Sequence, residues 1–377
     1  MAIRQLPRTA TPGGGFSVSF PAMRGIQAKR EYYVIMCPLR YLPRLFLFDE
    51  EDVPADLRAQ RTLNKGRLPA LTHYVVGNRD DYVFSALTAS VDGEMTFVPV
   101  DESNTDAHRL GVLHISLDSR FLINDGQHRR AAIEEAMKED PTLAEETIAI
   151  VVFTDEDLRR SQQMFADLNR HAVRPAKSIG VLYDHRDDDS GIARLIVLKS
   201  DFFKTIVEME RSTLSARSRK LFTLSAVYNA TQHLLAGLQY DALPEAADVA
   251  RSYWEAVAVH IPEWNAVRQG QVTAGEVRAD FIHSHGIALH ALGRVGNTML
   301  RESTEPKKWS RTLAKLKGLD WSRANTSLWE GRALVGGRVS KASNNVVLTT
   351  NVLRHCLGQP LSPEEQRVED AYRKGRL

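Results

Sequence analysis

The sequence predicts an α+β protein: an α/β domain over residues 31–175 and a mostly helical domain over 176–377, behind a flexible basic tail over 1–30. Three observations carry this. Strand-like and helix-like segments alternate between residues 31 and 153, as in mixed sheet-and-helix layers. Beyond Pro175 the strand signals fade and apolar residues recur with a period near 3.6. The length of 377 residues also exceeds what one small core usually covers.

Residues 1–30 hold Pro12-Gly13-Gly14-Gly15 and five cations, with no acid before Glu31, so they read as a frayed end or a basic arm. Residues 32–37 read as a buried strand closed by Pro38. Residues 54–63 read as a helix with proline at an early position. Residues 82–91 and 95–100 read as two strands joined in a hairpin at Asp92-Gly93. Residues 112–117 alternate apolar and polar side chains, as a half-buried strand does. A turn at Asp125-Gly126 leads into a helix over 127–138, and 147–153 form another strand. Thr154 is placed to cap a helix over about 155–170. Helical periodicity then recurs in 176–185, 190–199, 221–236, 247–260, 276–300 and 344–357.

Hydrophobic content of 43% and charged content of 25% are ordinary for a globular protein. A net charge of +2 neither demands nor excludes nucleic acid, so the distribution of charge must decide. Two cysteines, Cys37 and Cys356, support neither a disulfide framework nor a cysteine-rich zinc site. The first twenty residues lack a signal-peptide core, and no run of about 18 apolar residues appears. The expectation is a cytoplasmic, nucleoid-associated protein with no membrane contact.

The stretch Asn124-Asp125-Gly126-Gln127-His128-Arg129-Arg130 joins an apolar run to a helix. A strand, a glycine turn and a helix start commonly hold a phosphate, because the first helical N–H groups lack intrahelical partners and carry the positive end of the dipole. Gly126, Gln127, His128, Arg129 and Arg130 are therefore candidate phosphate-binding residues. The competing reading is a helix capped by Asp125 with its cations in solvent. A second donor-rich segment, Asn169, Arg170, Arg174 and Lys177, follows the 155–170 helix and could return to the same sheet end. Its competing reading is C-capping of that helix by Arg170 and His171. Four aspartates around His185 hint at a metal, but Asp187-Asp188-Asp189 in a row suits a loop or a helix cap better, so no metal site is expected. His283, His285 and His290 lack the i, i+4 spacing of a ligand pair and read as structural.

Cations concentrate in two places. Arg211, Arg217, Arg219 and Lys220 flank a Ser/Thr-rich loop. Residues 306–341 carry nine cations, Lys307, Lys308, Arg311, Lys315 and Lys317 among them, against Asp320 and Glu330. Trp309, Trp321 and Trp329 are interleaved. The charge reads as a nucleic-acid surface and the tryptophans as core anchors.

The run Asp125-Gly126-Gln127-His128-Arg129 spells the signature of the DGQHR domain. With Phe165 to Pro175 and Leu182 to Asp187, the chain resembles the DndB family, linked to DNA phosphorothioation, in which sulfur replaces a non-bridging phosphate oxygen. The motifs that carry this resemblance lie within about 31–190. It implies a DNA-binding repressor of the modification operon and a ParB/sulfiredoxin-like fold for the N-terminal domain. In that superfamily the corresponding turn holds a nucleotide triphosphate, which maps to Gly126, Gln127, His128 and Arg129. Gln127 stands where sulfiredoxin has its catalytic cysteine, so sulfinic-acid reduction is not expected. By family analogy alone, Cys37 is a candidate regulatory thiol.

Three functions follow as expectations. The leading one is a repressor on promoter double-stranded DNA, acting as a homo-oligomer, with Arg217, Arg219, Lys220, Lys307, Lys308, Arg311, Lys315 and Lys317 on the DNA. The second is a nucleotide hydrolase with Asp125, His128 and Arg129 as catalytic residues and ATP or CTP with Mg2+ as cofactor, the metal held by Asp125 or Asp167. The third is a docking protein for the other sulfur-modification proteins.

Overall fold

The computed structural model describes residues 8–10, 16–46, 65–103, 106–154, 163–168 and 175–375. It is a mixed α/β protein, 54% helical and 19% strand. The chain divides into two compact units, Met1–Val173 and Arg174–Leu377.

The first unit is built on an eight-stranded sheet. Its strands are β1 (Arg8–Ala10), β2 (Phe16–Gln27), β3 (Arg30–Pro38), β4 (Leu87–Asp92), β5 (Met95–Pro99), β6 (Leu110–Ser116), β7 (Arg120–Asp125) and β8 (Thr147–Thr154). The order is β5-β6-β2-β3-β8-β4-β7, with β1 paired to the start of β2. Pairing is antiparallel except between β4 and β8.

Two expectations fail here. Residues 16–27 of the expected tail lie in the sheet: β2 is a twelve-residue strand flanked by β6 and β3. Val18, Phe20 and Ala22 alternate into the core, and burial of that row holds the strand in the sheet. The Asp92-Gly93 hairpin is absent as well: β4 pairs with β7 and β8, and β5 pairs with β6. β4 is buried on both faces at Ala89, Ser90 and Val91, so it needs a neighbour on each edge. β5 alternates between exposed and half-buried residues and sits at the sheet edge. The strand also begins at Leu87 rather than at Tyr82. The helix expected over 54–63 lies outside the described residues. So does most of the 155–170 segment, of which 163–168 are helical.

The helix Gln127–Glu139 buries Ala132, Ile133 and Ala136 and packs on the helix Leu68–Gly77. With the inward rows of β2, β3, β4, β6 and β8 they close the core of this unit.

The second unit is helical around Gly286–Glu302, whose faces meet Leu224–Leu235 and Ser343–Leu357. Eleven of its seventeen residues are buried, and His290, Arg294, Asn297 and Arg301 form the polar stripe that is left. The stretch read as one helix over 276–300 is two, Ala274–Asp280 and Gly286–Glu302, parted by a short turn of 3-10 helix at Ile282–Ser284. Trp254, Trp264, Trp309, Trp321 and Trp329 all lie in this core. Trp321 stacks on Trp329 with ring centroids 5.6 Å apart. Among the described residues, no helix is long and apolar enough to cross a membrane.

Candidate functional site

β7 ends at Asp125, and Gly126 starts the helix at Gln127. Gly126 has φ +97°, a left-handed conformation that side chains resist, and a Cβ there would lie 2.5 Å from Leu87 Cδ2. Among the described residues, no side chain caps the helix. The competing reading, a cap by Asp125, is not seen among the described residues: its carboxylate accepts from Arg129.

That engagement defines the turn. Arg129 Nη2 donates to Asp125 Oδ2 at 2.6 Å, and Nη1 donates to the carbonyls of Ser85 (2.8 Å) and Ala86 (3.0 Å) and to the Ser85 hydroxyl. The guanidinium thus ties the turn to the chain entering β4. Arg130 donates to Glu134 at 2.7 Å, and its guanidinium lies 6.0 Å from the Phe46 ring centroid. Burial, and then the charge of Arg67, hold the His128 imidazole below its ordinary pKa, so it stays neutral near pH 7. Gln127 is half-buried. Asn124 is buried in β7; its amide donates to Ser90 Oγ at 2.6 Å, and its Oδ1 is buried without a partner among the described residues.

Asn169, Arg170 and Arg174 lie outside the described residues. Lys177 belongs to the helical unit, where its ammonium donates to Asn229 Oδ1 at 2.6 Å and sits 5.2 Å from the Tyr228 ring centroid. Asp167 accepts from Gln163 at 2.7 Å. Among the described residues, no group of three or more His, Cys, Asp or Glu side chains is disposed to hold a metal. Asp187 caps the helix Asp188–Lys199, accepting from Ser190 N at 3.1 Å.

Two histidines of the helical unit meet groups of that unit. Trp264 donates to His283 Nδ1 at 3.1 Å, and His285 Nε2 lies 2.9 Å from the Arg278 carbonyl. Cys37 is fully buried in β3, and burial pushes its thiol up to about 12. Neither accessibility nor thiolate character supports a regulatory role for it.

The DNA-directed cations sort by what they touch. Arg217 and Arg219 are exposed on the loop, whereas Lys220 donates to the Thr205 carbonyl at 2.9 Å. The helix Pro306–Leu313 buries Trp309 and Leu313 and exposes Lys307, Lys308 and Arg311. Lys308 meets Glu305 at 3.5 Å. Lys315 donates to the Leu357 carbonyl at 3.0 Å, and Lys317 is exposed. Arg332, in contrast, pairs with the buried Glu369 at 2.7 Å and leaves the candidate surface.

A family model described as DndB, DNA-sulfur modification-associated, matches residues 20–360. The chain belongs to the DndB family. The match starts inside β2 and ends beyond the Ser343–Leu357 helix, so the DndB pattern covers the helical unit as well as the 31–190 stretch that holds the short motifs. DndB membership ties the chain to DNA sulfur modification. No curated protein and no solved structure matches it.

Sequence reasoning missed Ser85 and Ala86, whose backbone receives Arg129 from 44 and 43 residues away. Carbonyl acceptors carry no residue-type signal, so nothing in the sequence marks them.

Proposed function

We propose that this DndB-family chain is a DNA-binding repressor of a DNA phosphorothioate modification operon, with the Gly126 turn as a phosphate or nucleotide site. The observation that supports the DNA reading is the Pro306–Leu313 helix. Trp309 and Leu313 anchor it in the core, which fixes the direction of its cationic face. Among the described residues, Lys307, Arg311 and Lys317 have no carboxylate partner, so their charge is available to DNA phosphates. Arg217 and Arg219 add exposed charge on a loop of the same unit. Each phosphate neutralised adds about −0.9 to the slope of log K against log salt.

The test is binding of promoter and random duplexes by fluorescence anisotropy across a salt series. Replacing Lys307, Lys308 and Arg311 together by alanine should flatten the slope by about 2 to 3. An unchanged slope removes this helix from the interface, and equal affinity for promoter and random DNA removes the repressor reading. Titration with ATP and CTP, with and without Mg2+, tests the turn.

The hydrolase reading is weaker. The Arg129–Asp125 ion pair occupies two of its three catalytic groups. The docking reading gains no specific support, and co-purification of the other modification proteins after nuclease treatment would revive it.

A further inference from the structure

The helical unit holds a cavity of about 470 Å3 that none of these readings uses. A loop spanning residues 212–222 forms one wall. Arg278, His285, Gly286 and Lys341 line the other. The lining carries cations and hydroxyls but no Asp or Glu.

The cations here are held by backbone, not by acids. Arg278 donates to the carbonyls of Ser215 (2.7 Å), Ser218 (3.2 Å) and Lys220, which shapes the loop and leaves the charge uncompensated. Behind it, Arg323 donates to the carbonyls of Ala279 (3.1 Å) and Gly337 (2.9 Å). Among the described residues, neither guanidinium pairs with a carboxylate, and nor does Lys341.

Lys341 is the telling group. Its Nζ would lie 2.8 Å from a Cβ placed on Gly286. Gly286 is the first residue of a seventeen-residue helix that has no side-chain cap. The ammonium therefore stands beside the positive end of a helix dipole, the reverse of the usual placement of cations. An anion between the two would offset both charges. Burial, against the opposing hydrogen bond with the Arg278 carbonyl and aided by the charges of Arg323 and Lys341, pushes His285 down to about 4. Across the cavity, Leu214, Leu221, Phe222 and Ala226 supply an apolar wall. A cavity of this size takes a small organic ligand with one charged head.

We infer that this cavity binds a phosphomonoester of mononucleotide size, its phosphate between Lys341 and the first turn of the Gly286–Glu302 helix and its body against the apolar wall. The inference is independent of the Gly126 turn, and its cavity shares the 212–222 loop with Arg217 and Arg219 of the DNA reading.

Calorimetric titration of the full chain with inorganic phosphate, AMP and CMP tests it. A mononucleotide should bind more tightly than phosphate, because only its body reaches the apolar wall. Lys341→Gln should weaken it by about tenfold or more, the loss of one charge-assisted contact, while Lys341→Arg retains most of the affinity. Lys199→Gln, which removes an exposed lysine at the end of another helix, should leave it unchanged. Melting curves confirm that each variant is folded. Absence of binding by all three ligands overturns the inference. So does an equal loss in Lys199→Gln and Lys341→Gln, which would report net charge alone. Competitive displacement of CMP by random duplex DNA also overturns it, because the phosphate would then be the DNA backbone's.

Discussion

The Gly126 turn and the Lys341 cavity are both cationic sites at a helix start, and they treat their cations in opposite ways. At the turn, Arg129 is bound by Asp125 and by two carbonyls, and Arg130 by Glu134. In the cavity, Arg278 and Arg323 meet only carbonyls, and Lys341 stands beside a helix N-terminus. A cation closed by a carboxylate holds the fold together. One without an acid keeps its charge for a ligand, because a backbone carbonyl orients a guanidinium without neutralising it. The residue run that looked most like a site therefore includes its own brace, while the cavity, built from dispersed residues, has the open charge.

The sharpest way to break this contrast is at the partnered cations. Arg332 and Glu369 form a pair that is 13% and 4% exposed. Glu369→Ala should cost about 4 kcal/mol in urea unfolding, since Arg332 is left buried and unpaired. The same pair sets an acid limit. Its bonds with Arg332 bring the Glu369 carboxyl down to about 2 against the opposing effect of burial. The stability it contributes is complete above the ordinary carboxylate range and is lost as pH falls toward 2. Glu369→Gln should flatten that acid limb, and a wild-type slope in the variant would assign the limb to other groups.

Gly126→Ala comes next, at about 3 kcal/mol, from left-handed strain and the collision with Leu87. A neutral result would mean that the turn can relax. Arg129→Ala should cost about 2 kcal/mol, because the Ser85 and Ala86 carbonyls lose their donor. Loss of anion binding without loss of stability would instead make Arg129 a ligand group and erase the contrast. Lys341→Gln should change unfolding by less than about 0.5 kcal/mol while it weakens ligand binding. A destabilisation above about 1 kcal/mol would make it another brace. Smallest of all, thiol labelling of the native chain should modify half-exposed Cys356 and spare Cys37 until unfolding. Cys37 labelling at the native rate of Cys356 would reopen its regulatory role.

The legible parts were local. The strand read over 32–37 is a continuous apolar run, and the helices read over 221–236 and 344–357 repeat their apolar residues at the helical period. The tryptophans of 306–341 read as anchors because a basic segment has few other apolar groups to bury, and all three are buried. The Gly126 turn announced its conformation, since glycine between a strand and a helix permits the positive φ found there.

By itself, then, the sequence determined the two-part plan of sheet and helices, the glycine turn, the buried tryptophans and the family to which the chain belongs. Each depends on residues within a few positions of one another or on a motif in one stretch. Only the tertiary structure decided that residues 16–27 join the sheet, that β4 abandons β5 for β7 and β8, that Arg129 is tied to Ser85, and that Arg278, His285, Gly286 and Lys341 share one cavity. These are choices among distant partners. Burial and hydrogen bonding summed over the whole core settle them, and no local period records that sum.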